Sequence, residues 1–183
     1  MASSLIWTIG HSTHPIEHFL GLLAHHGIQC LVDVRFIPYS RRHPQYNTET
    51  LRSSLERAQV QYQSMPNLGG RRKSRTDSPN VGWRNVSFRG YADYMQTLAF
   101  QHALKELMQT ATPRATTIMC AEALPWRCHR SLIADALTTH GWEVRHIMSA
   151  ARTTQHELTT FAVVEGDMIL YPRSGRDTLP RLF

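Results

Sequence analysis

The sequence has few cysteines, no long apolar run and no low-complexity tract, and each of these absences excludes a class of protein. Three cysteines in 183 residues form no disulfide framework, which disfavours a disulfide-stapled secreted domain and favours a reducing compartment. No apolar run approaches the roughly 20 residues that a transmembrane helix needs, and the first residues lead almost directly into a strand-like segment. We therefore expect a cytoplasmic protein without a membrane segment or targeting peptide.

Acidic residues are also scarce, and the positive charge that results is concentrated in one segment. The formal net charge is +6, and residues 66–90 carry six Lys and Arg side chains against Asp77 alone. Glycine, proline, serine and asparagine in this segment favour a loop, and a long basic loop in a compact domain is often functional. The candidates for nucleic-acid binding in this loop are Arg71, Arg72, Lys73 and Arg75.

Apolar β-branched runs alternate with amphipathic runs along most of the chain. This alternation predicts a single α/β domain over residues 1–183, with a three-layer, mostly parallel five-stranded sheet and helices on both faces. The predicted strands are Leu5–Ile9, Cys30–Val34, Val60–Met65, Ala115–Cys120 and Glu143–Ile147. Helices are expected after Pro15, over Thr48–Ala58, over Tyr91–Met108 as one long or broken helix, and over Ser131–Leu137. Residues 157–172 predict a C-terminal β-hairpin around Glu165-Gly166-Asp167.

The densest cluster of reactive residues lies between the fourth predicted strand and the helix that follows it. Ligands bind at the carboxyl ends of parallel strands, where the next helix begins, so this cluster is well placed for chemistry. Arg127, His129 and Arg130 flank Cys128 and favour its thiolate, which predicts a lowered pKa and a reactive sulfur. Two alternatives stay open: Cys128 is a small packing residue, or it forms a disulfide or sulfenic-acid relay with Cys120.

Two carboxylates could serve the same site. Asp33 lies within the hydrophobic second strand, where a buried carboxylate needs a partner such as Arg35. Glu122 follows the fourth strand and could face the same crevice. Asp33 either holds a loop through backbone N–H groups or forms a catalytic pair with Glu122, one residue acting as base or nucleophile and the other as acid.

Polar residues after the first strand predict an anion site. Gly10, His11 and Ser12 combine a glycine that lets the backbone approach a ligand with groups that bind phosphate, although the missing lysine excludes a P-loop. Arg35, Arg127 and Arg130 are expected to hold phosphate as well. No spacing of Cys and His residues matches a metal motif, so neither a metal nor a cofactor is expected.

Several short motifs together resemble the DUF488 family of domains of unknown function, over most of the chain. The two most specific motifs are Cys120-Ala121-Glu122, followed by Pro125, and Cys128-His129-Arg130. Supporting motifs are Thr8-Ile9-Gly10-His11-Ser12, Val32-Asp33-Val34-Arg35 with Pro38 and Ser40-Arg41, and Leu68-Gly69-Gly70. Leu124 departs from the pattern, since an acidic residue is expected there. The resemblance implies a three-layer α/β fold and a shared polar site, and it implies no particular reaction.

These observations favour an enzyme that acts on a phosphorylated, nucleotide-like substrate or on nucleic acid. The expected catalytic residues are Asp33, Glu122, Cys128 and His129. Glycosyl transfer or hydrolysis is the favoured reaction class, because paired carboxylates beside an anion site suit it. The alternatives are a thiol-dependent or redox-sensing enzyme centred on Cys128 and a nucleic-acid-binding module without catalysis. The expected partner is an anionic small molecule or nucleic acid, and the oligomeric state stays open.

Overall fold

The fold is built on a mostly parallel sheet, seen in a computed structural model that describes residues 4–173. The strands of the main sheet are β1 (Leu5–Gly10), β2 (Cys30–Asp33), β3 (Gln61–Ser64), β4 (Thr116–Cys120), β5 (Glu143–Ile147) and β6 (Thr153–Gln155). Their order across the sheet is β3-β2-β4-β1-β5-β6. The first five strands in this order are mutually parallel, as predicted, and β6 adds an antiparallel edge strand that the prediction lacked.

Helices cover both faces of this sheet, which confirms the three-layer α/β prediction. The helices are α1 (Ile16–His25), α2 (Thr48–Arg57), α3 (Val86–Met95), α4 (Leu98–Ala111) and α5 (Arg130–Thr139). Helices α1 and α2 bury Phe19 and Leu51 against one face, and the other three helices build a second core on the opposite face. Side chains alternate along the strands, so that Ile118 faces one core and Met119 the other.

The structure refines three of the predicted elements. The helical segment expected over residues 91–108 is two helices, because the Thr97 side chain accepts a hydrogen bond from the Phe100 N–H and begins α4. Asn85 begins α3 in the same way, inside the segment predicted as a loop. The C-terminal hairpin is confirmed as strands β7 (Val163–Glu165) and β8 (Met168–Leu170), which pair as a separate two-stranded sheet.

The basic segment is pinned to the domain by one carboxylate. Asp93 on α3 accepts hydrogen bonds from the hydroxyls of Ser74 and Ser78, from the Arg75 N–H and from the Asn80 side-chain amide. These bonds hold the pKa of Asp93 below its ordinary value although burial opposes them. The loop is therefore an ordered part of the fold. No helix in the described part of the chain combines the length and the apolar character that crossing a membrane requires.

Candidate functional site

The carboxyl ends of β2 and β4 and the start of α5 enclose a cavity of about 340 Å³. Cys120, Cys128 and His129 lie in its wall, which places the predicted reactive cluster beside accessible space. The rest of the wall combines charged and aromatic side chains: Arg35, Arg71, Glu122, Arg127, Phe36, Phe88 and Tyr91. The cavity therefore offers cations, a carboxylate and apolar surface around two thiols.

The surroundings of Cys128 favour its thiolate form. The hydrogen bond from the Cys120 thiol holds the pKa of Cys128 well below its ordinary value, and His129 and Arg130 contribute in the same direction while burial opposes them. The Nε of Arg130 donates to the Cys128 Sγ over 3.4 Å. Cys128 is buried, with only 4% of its surface exposed, so its sulfur is shielded from most of the solvent.

The environment of the Arg130 guanidinium also favours a thiolate at Cys128. The Arg130 side chain is 1% exposed, and within residues 4–173 no carboxylate forms an ion pair with it. Its other donors reach neutral oxygens, namely Thr8 Oγ1 and the carbonyls of Glu122 and Ala123. A buried cation is costly unless an opposite charge compensates it, and the Cys128 sulfur is the group at hand that can carry one.

The orientation of His129 is set by its two neighbours. Its Nε2 lies 3.3 Å from the carbonyl oxygen of Val34, and because a carbonyl only accepts, Nε2 carries the hydrogen. The Nδ1 atom is then free to exchange a proton with the Cys128 Sγ, which lies 3.7 Å away. Gly70 packs against this ring, since a Cβ there would lie 3.0 Å from Nδ1. His129 and Cys128 thus form a thiol–imidazole pair.

Cys120 keeps its proton. Its hydrogen bond to Cys128 raises its pKa well above the ordinary value, and burial acts in the same direction. Its thiol lies at the end of β4 and is partly exposed. The two thiols are therefore coupled, and the opposite directions of their pKa shifts favour the negative charge on Cys128.

The same cluster provides donors for a soft metal ion. Ligand atoms of Cys120, Cys128 and His129 lie within 4.8 Å of one another, and two thiols with one imidazole suit zinc. The expectation that the protein needs no metal stays a prediction.

The structure places Asp33, which the sequence analysis paired with Glu122, in an ion pair with Arg35 and not among the residues that line the cavity. Asp33 is fully buried, and Arg35 engages both of its oxygens, through Nε at 2.9 Å and Nη2 at 2.6 Å. The Arg35 backbone N–H and the Tyr62 hydroxyl donate to the same carboxylate. All positions that could receive a proton from a substrate are therefore occupied, and the loop-holding alternative agrees with the geometry. Arg35 itself lines the cavity, but its guanidinium is committed to Asp33 and to the Tyr46 carbonyl.

The residues at the end of β1 and just after it mainly contact other parts of the protein. A Cβ at Gly10 would collide with the Glu122 carbonyl, so the absence of a side chain lets the neighbouring loop approach the strand. The backbone N–H of Ser12 donates to the Ala121 carbonyl, and Ser12 takes a positive φ of 49°. His11 is 2% exposed, stacks on Tyr46 and accepts a hydrogen bond from Arg35. Burial lowers the pKa of His11 to about 4, so the ring is neutral at pH 7.

A second opening of about 530 Å³ continues the cavity towards these residues. It shares Arg35, Arg71 and Glu122 with the first cavity and adds His11, Ser12 and His43. Glu122 is exposed and is the one carboxylate among the residues that line these two openings. Arg127 is exposed at the rim of the first cavity. The two openings form one groove across the carboxyl ends of β1, β2 and β4.

The four basic residues predicted to bind nucleic acid fall into different environments. Arg71 lines both openings of the groove. Arg72 lies over the Tyr94 ring at 3.7 Å and donates to the carbonyls of Gly69 and Asn67. Arg75 pairs with Asp77 at the surface, and Lys73 is exposed. Arg72 is thus a packing residue of the loop, and Arg71 is the residue of this group that reaches the site.

Sequence reasoning missed several residues that shape the site. Tyr91 and Gly70 form the wall against which the His129 ring packs. Thr8, in β1, contacts Arg130 from behind. Thr8 and the Gly69-Gly70 pair both belong to the short motifs of the sequence, but a motif does not show which side chain lies behind the thiol.

Comparison with known proteins identifies a family. No curated protein and no solved structure matches the chain. The family model described as "Domain of unknown function DUF488" matches residues 15–137, which is more than half of the chain and includes Asp33, Cys120, Glu122 and Cys128. The motifs, the α/β fold and this match agree. The chain therefore belongs to the DUF488 family of domains of unknown function.

Proposed function

We propose that this protein is a thiol-dependent enzyme in which the Cys128 thiolate attacks an anionic substrate bound in the groove. The observation that carries the proposal is the contact between the Cys128 Sγ and the buried Arg130 guanidinium, which has no carboxylate partner among the described residues. A low thiol pKa beside a cavity is the property that distinguishes a reactive cysteine from a packed one.

The substrate class follows from the wall of the groove. Arg71 and Arg127 provide exposed positive charge, and Phe36 and Phe88 provide aromatic surface next to the thiols. A phosphorylated, nucleotide-like molecule combines the anionic and planar groups that such a wall binds. An end or a flipped base of a nucleic acid has the same chemistry. Three free cysteines suit the reducing cytoplasm, where we place the protein.

The reaction would proceed by covalent catalysis. The Cys128 sulfur forms a bond to the electrophilic atom of the substrate, and the leaving group departs with the electron pair of the broken bond. The proton held by Cys120 neutralises that leaving group. Water then attacks the adduct, the sulfur leaves as thiolate, and the released proton returns to Cys120, so that the net reaction is a hydrolysis.

The carboxylate-based glycosyl reaction is less well supported by the geometry. It requires two carboxyl groups that face one substrate. Asp33 is enclosed by Arg35 and Tyr62, which leaves Glu122 without that partner. We therefore assign Glu122 to substrate binding or proton transfer at the rim and place the main chemistry on sulfur.

Redox sensing is the second candidate, and the proximity of the two thiols favours it. Ligand atoms of Cys120 and Cys128 lie within 4.8 Å of each other, so a hydroperoxide that oxidises Cys128 to a sulfenic acid would expose it to attack by Cys120. That attack forms a disulfide and releases water. A disulfide formed in preference to a substrate adduct would favour this candidate.

The experiment that tests the proposal measures alkylation of Cys128 against pH. We expect iodoacetamide to modify Cys128 with a midpoint well below the ordinary thiol value, and iodoacetate to react preferentially because the groove attracts anions. Replacing Arg127 by Gln should reduce the preference for iodoacetate, whereas the same change at the exposed Arg84, outside the groove, should not. A midpoint near the ordinary pKa of about 8.5 contradicts the proposal.

A substrate search completes the test. Nucleotides, nucleosides, nucleic acids and activated phosphate and acyl esters are incubated with the protein, and the intact mass is followed for a covalent adduct. Adduct formation and turnover should disappear in Cys128→Ser and persist in Cys30→Ser, because Cys30 is buried in β2 away from the groove. Turnover that survives in Cys128→Ser contradicts the proposal.

A further inference from the structure

A line of buried polar side chains runs from the far side of Cys128 into the core. The Nη1 of Arg130 lies 3.2 Å from Thr8 Oγ1, and Thr8 Oγ1 lies 2.8 Å from Nδ1 of His146. The line continues from His146 Nε2 to His156 Nδ1 at 3.0 Å and from His156 Nε2 to the Asp135 carboxylate at 2.8 Å. It joins β1, β5 and α5 behind the thiol site.

Every hydrogen bond in this line is compatible with one direction. Arginine can only donate, so Thr8 accepts from it and turns its own hydrogen towards Nδ1 of His146. His146 then carries its hydrogen on Nε2 and donates to His156, whose remaining N–H points at the carboxylate of Asp135. Burial lowers the pKa of His146 to about 3, with a further contribution from His156. The ring is therefore neutral at pH 7, and its Nδ1 atom can accept the Thr8 hydrogen.

The far end of the line is firmly held. Asp135 is fully buried and also accepts hydrogen bonds from the Thr159 N–H and hydroxyl and from the Tyr171 hydroxyl. Chain segments beyond β6 thereby fix the carboxylate, and through it the two imidazoles. A fixed acceptor at Thr8 in turn restricts rotation of the Arg130 guanidinium.

At the near end of the line, hydrogen bonds fix the orientation of the Arg130 guanidinium. Nη2 of Arg130 donates to the carbonyls of Glu122 and Ala123, and Nη1 donates to Thr8. With both ends of the planar group fixed, Nε can point only at the Cys128 Sγ. Besides Arg130, the titratable groups that face this sulfur are Cys120 on β4, Tyr91 on α3 and the adjacent His129.

We infer that Thr8 and His146 are positioning residues for the reactive sulfur: they hold the Arg130 guanidinium so that its Nε donates to Cys128. This inference rests on the proposed function, because it assigns these two residues a role only if Cys128 works as a thiolate. Neither side chain lines the cavity that contains the thiols. Their effect on reactivity passes through Arg130 alone.

The experiment compares Thr8→Val with a matched substitution on the neighbouring strand. Thr117 on β4 is fully buried like Thr8, but its hydroxyl has no hydrogen-bond partner among the described residues, so Thr117→Val makes the same change without breaking the line. Thr8→Ser keeps the hydroxyl and serves as the rescue. The measurement is the pH–rate profile of Cys128 alkylation by iodoacetamide, mapped by mass spectrometry on the full chain.

We expect Thr8→Val to move the midpoint of the profile to higher pH, with a fall of about threefold or more in the rate at the wild-type midpoint. Thr8→Ser and Thr117→Val should keep the wild-type profile. If Thr8→Val does not fold, Thr8→Ala adds no atom and makes the same test. A wild-type-like profile in both Thr8→Val and Thr8→Ala overturns the inference while a low wild-type midpoint still supports the proposed function. An ordinary wild-type midpoint overturns both.

Discussion

Two buried arginines lie at neighbouring strand ends, and their partners differ. Arg35, after β2, meets the Asp33 carboxylate at 2.6 Å, and both side chains are almost completely enclosed. Arg130, at the start of α5, meets the Cys128 sulfur and several neutral oxygens. Hydrogen bonds from Arg35 and Tyr62 occupy both oxygens of the Asp33 carboxylate, whereas Cys128 lies in the wall of a cavity. The first pair is closed off within the fold, and the second is the one that the proposed function uses as a nucleophile.

The two regions also use histidine differently. His11 beside Arg35 is neutral, buried and stacked on Tyr46, so its ring supports packing. His129 beside Cys128 is partly exposed and has one nitrogen fixed by a carbonyl and the other directed at sulfur. An enclosed ring completes a structural network, while a half-open ring can move a proton. The exposure of the ring separates the two environments, since His11 is buried and His129 is partly exposed.

The largest effect is expected from breaking the structural pair. Asp33→Asn leaves the Arg35 cation buried without its counter-charge, which costs about 3–5 kcal/mol of the free energy of unfolding. Urea denaturation measures this loss. The pH–rate profile of Cys128 alkylation in the folded variant should be unchanged, and a shifted profile would show that the two regions are not separate.

Mild acid should lower the free energy of unfolding through His11, which contacts Arg35. His11 has a pKa of about 4 in the folded protein against 6.5 as its ordinary value, so between these pH values the unfolded chain binds more protons. Above pH 6.5 the ring of His11 is neutral in both states and does not reduce the free energy of unfolding. As the pH decreases from 6.5 towards 4, His11 lowers the free energy of unfolding by about 3 kcal/mol.

Unfolding curves at several pH values measure this loss. The slope of stability against pH should be smaller in His11→Asn and unchanged in His102→Asn, since His102 is exposed on α4. An equal slope in both variants would show that His11 is not the group that titrates.

A moderate effect on reactivity is expected at Arg130. Arg130→Met removes the charge while filling similar space, so the pKa of Cys128 should rise and its alkylation at the wild-type midpoint should slow by about tenfold, which corresponds to about 1.4 kcal/mol. Arg130→Lys keeps the charge, so its alkylation rate should lie between those of the wild type and Arg130→Met. Unchanged alkylation in Arg130→Met would mean that the thiolate does not depend on this cation.

The smallest effect is expected at the exposed pair between Arg75 and Asp77. Both side chains are more than half exposed, so water and salt screen their attraction. Asp77→Asn should leave the free energy of unfolding within experimental error of the wild type. If Asp77→Asn lost as much free energy of unfolding as Asp33→Asn, burial would not explain why the two ion pairs differ.

Local sequence patterns were sufficient for most elements of the fold. The predicted bounds of β5 agree with the structure, and the predicted helix at Thr48–Ala58 differs by one residue. Gly27 and Gly141 end their helices with positive φ values of 63° and 79°, as glycine allows. The edge strand β6 was missed because three polar residues carry no apolar alternation, and the break at Thr97 was not located because apolar periodicity continues across it.

The sequence also predicted a lowered pKa for Cys128 from its chain neighbours, and the structure adds Cys120 as the largest cause. That Cys128 is reactive stays a prediction. Sequence alone could not assign Asp33, since a buried carboxylate can serve a ligand or an arginine, and the choice depends on where Arg35 and Tyr62 lie. It gave no sign of His146, which is 138 residues away from the hydroxyl that it contacts.

By itself, then, the sequence determined the α/β fold, the family and the placement of Cys128 at a strand–helix junction, because periodicity and short motifs are local properties. Only the tertiary structure decided which buried arginine faces a carboxylate and which faces sulfur. The reason is physical: the state of a buried charge depends on every group that packs around it, and those groups come from distant parts of the chain.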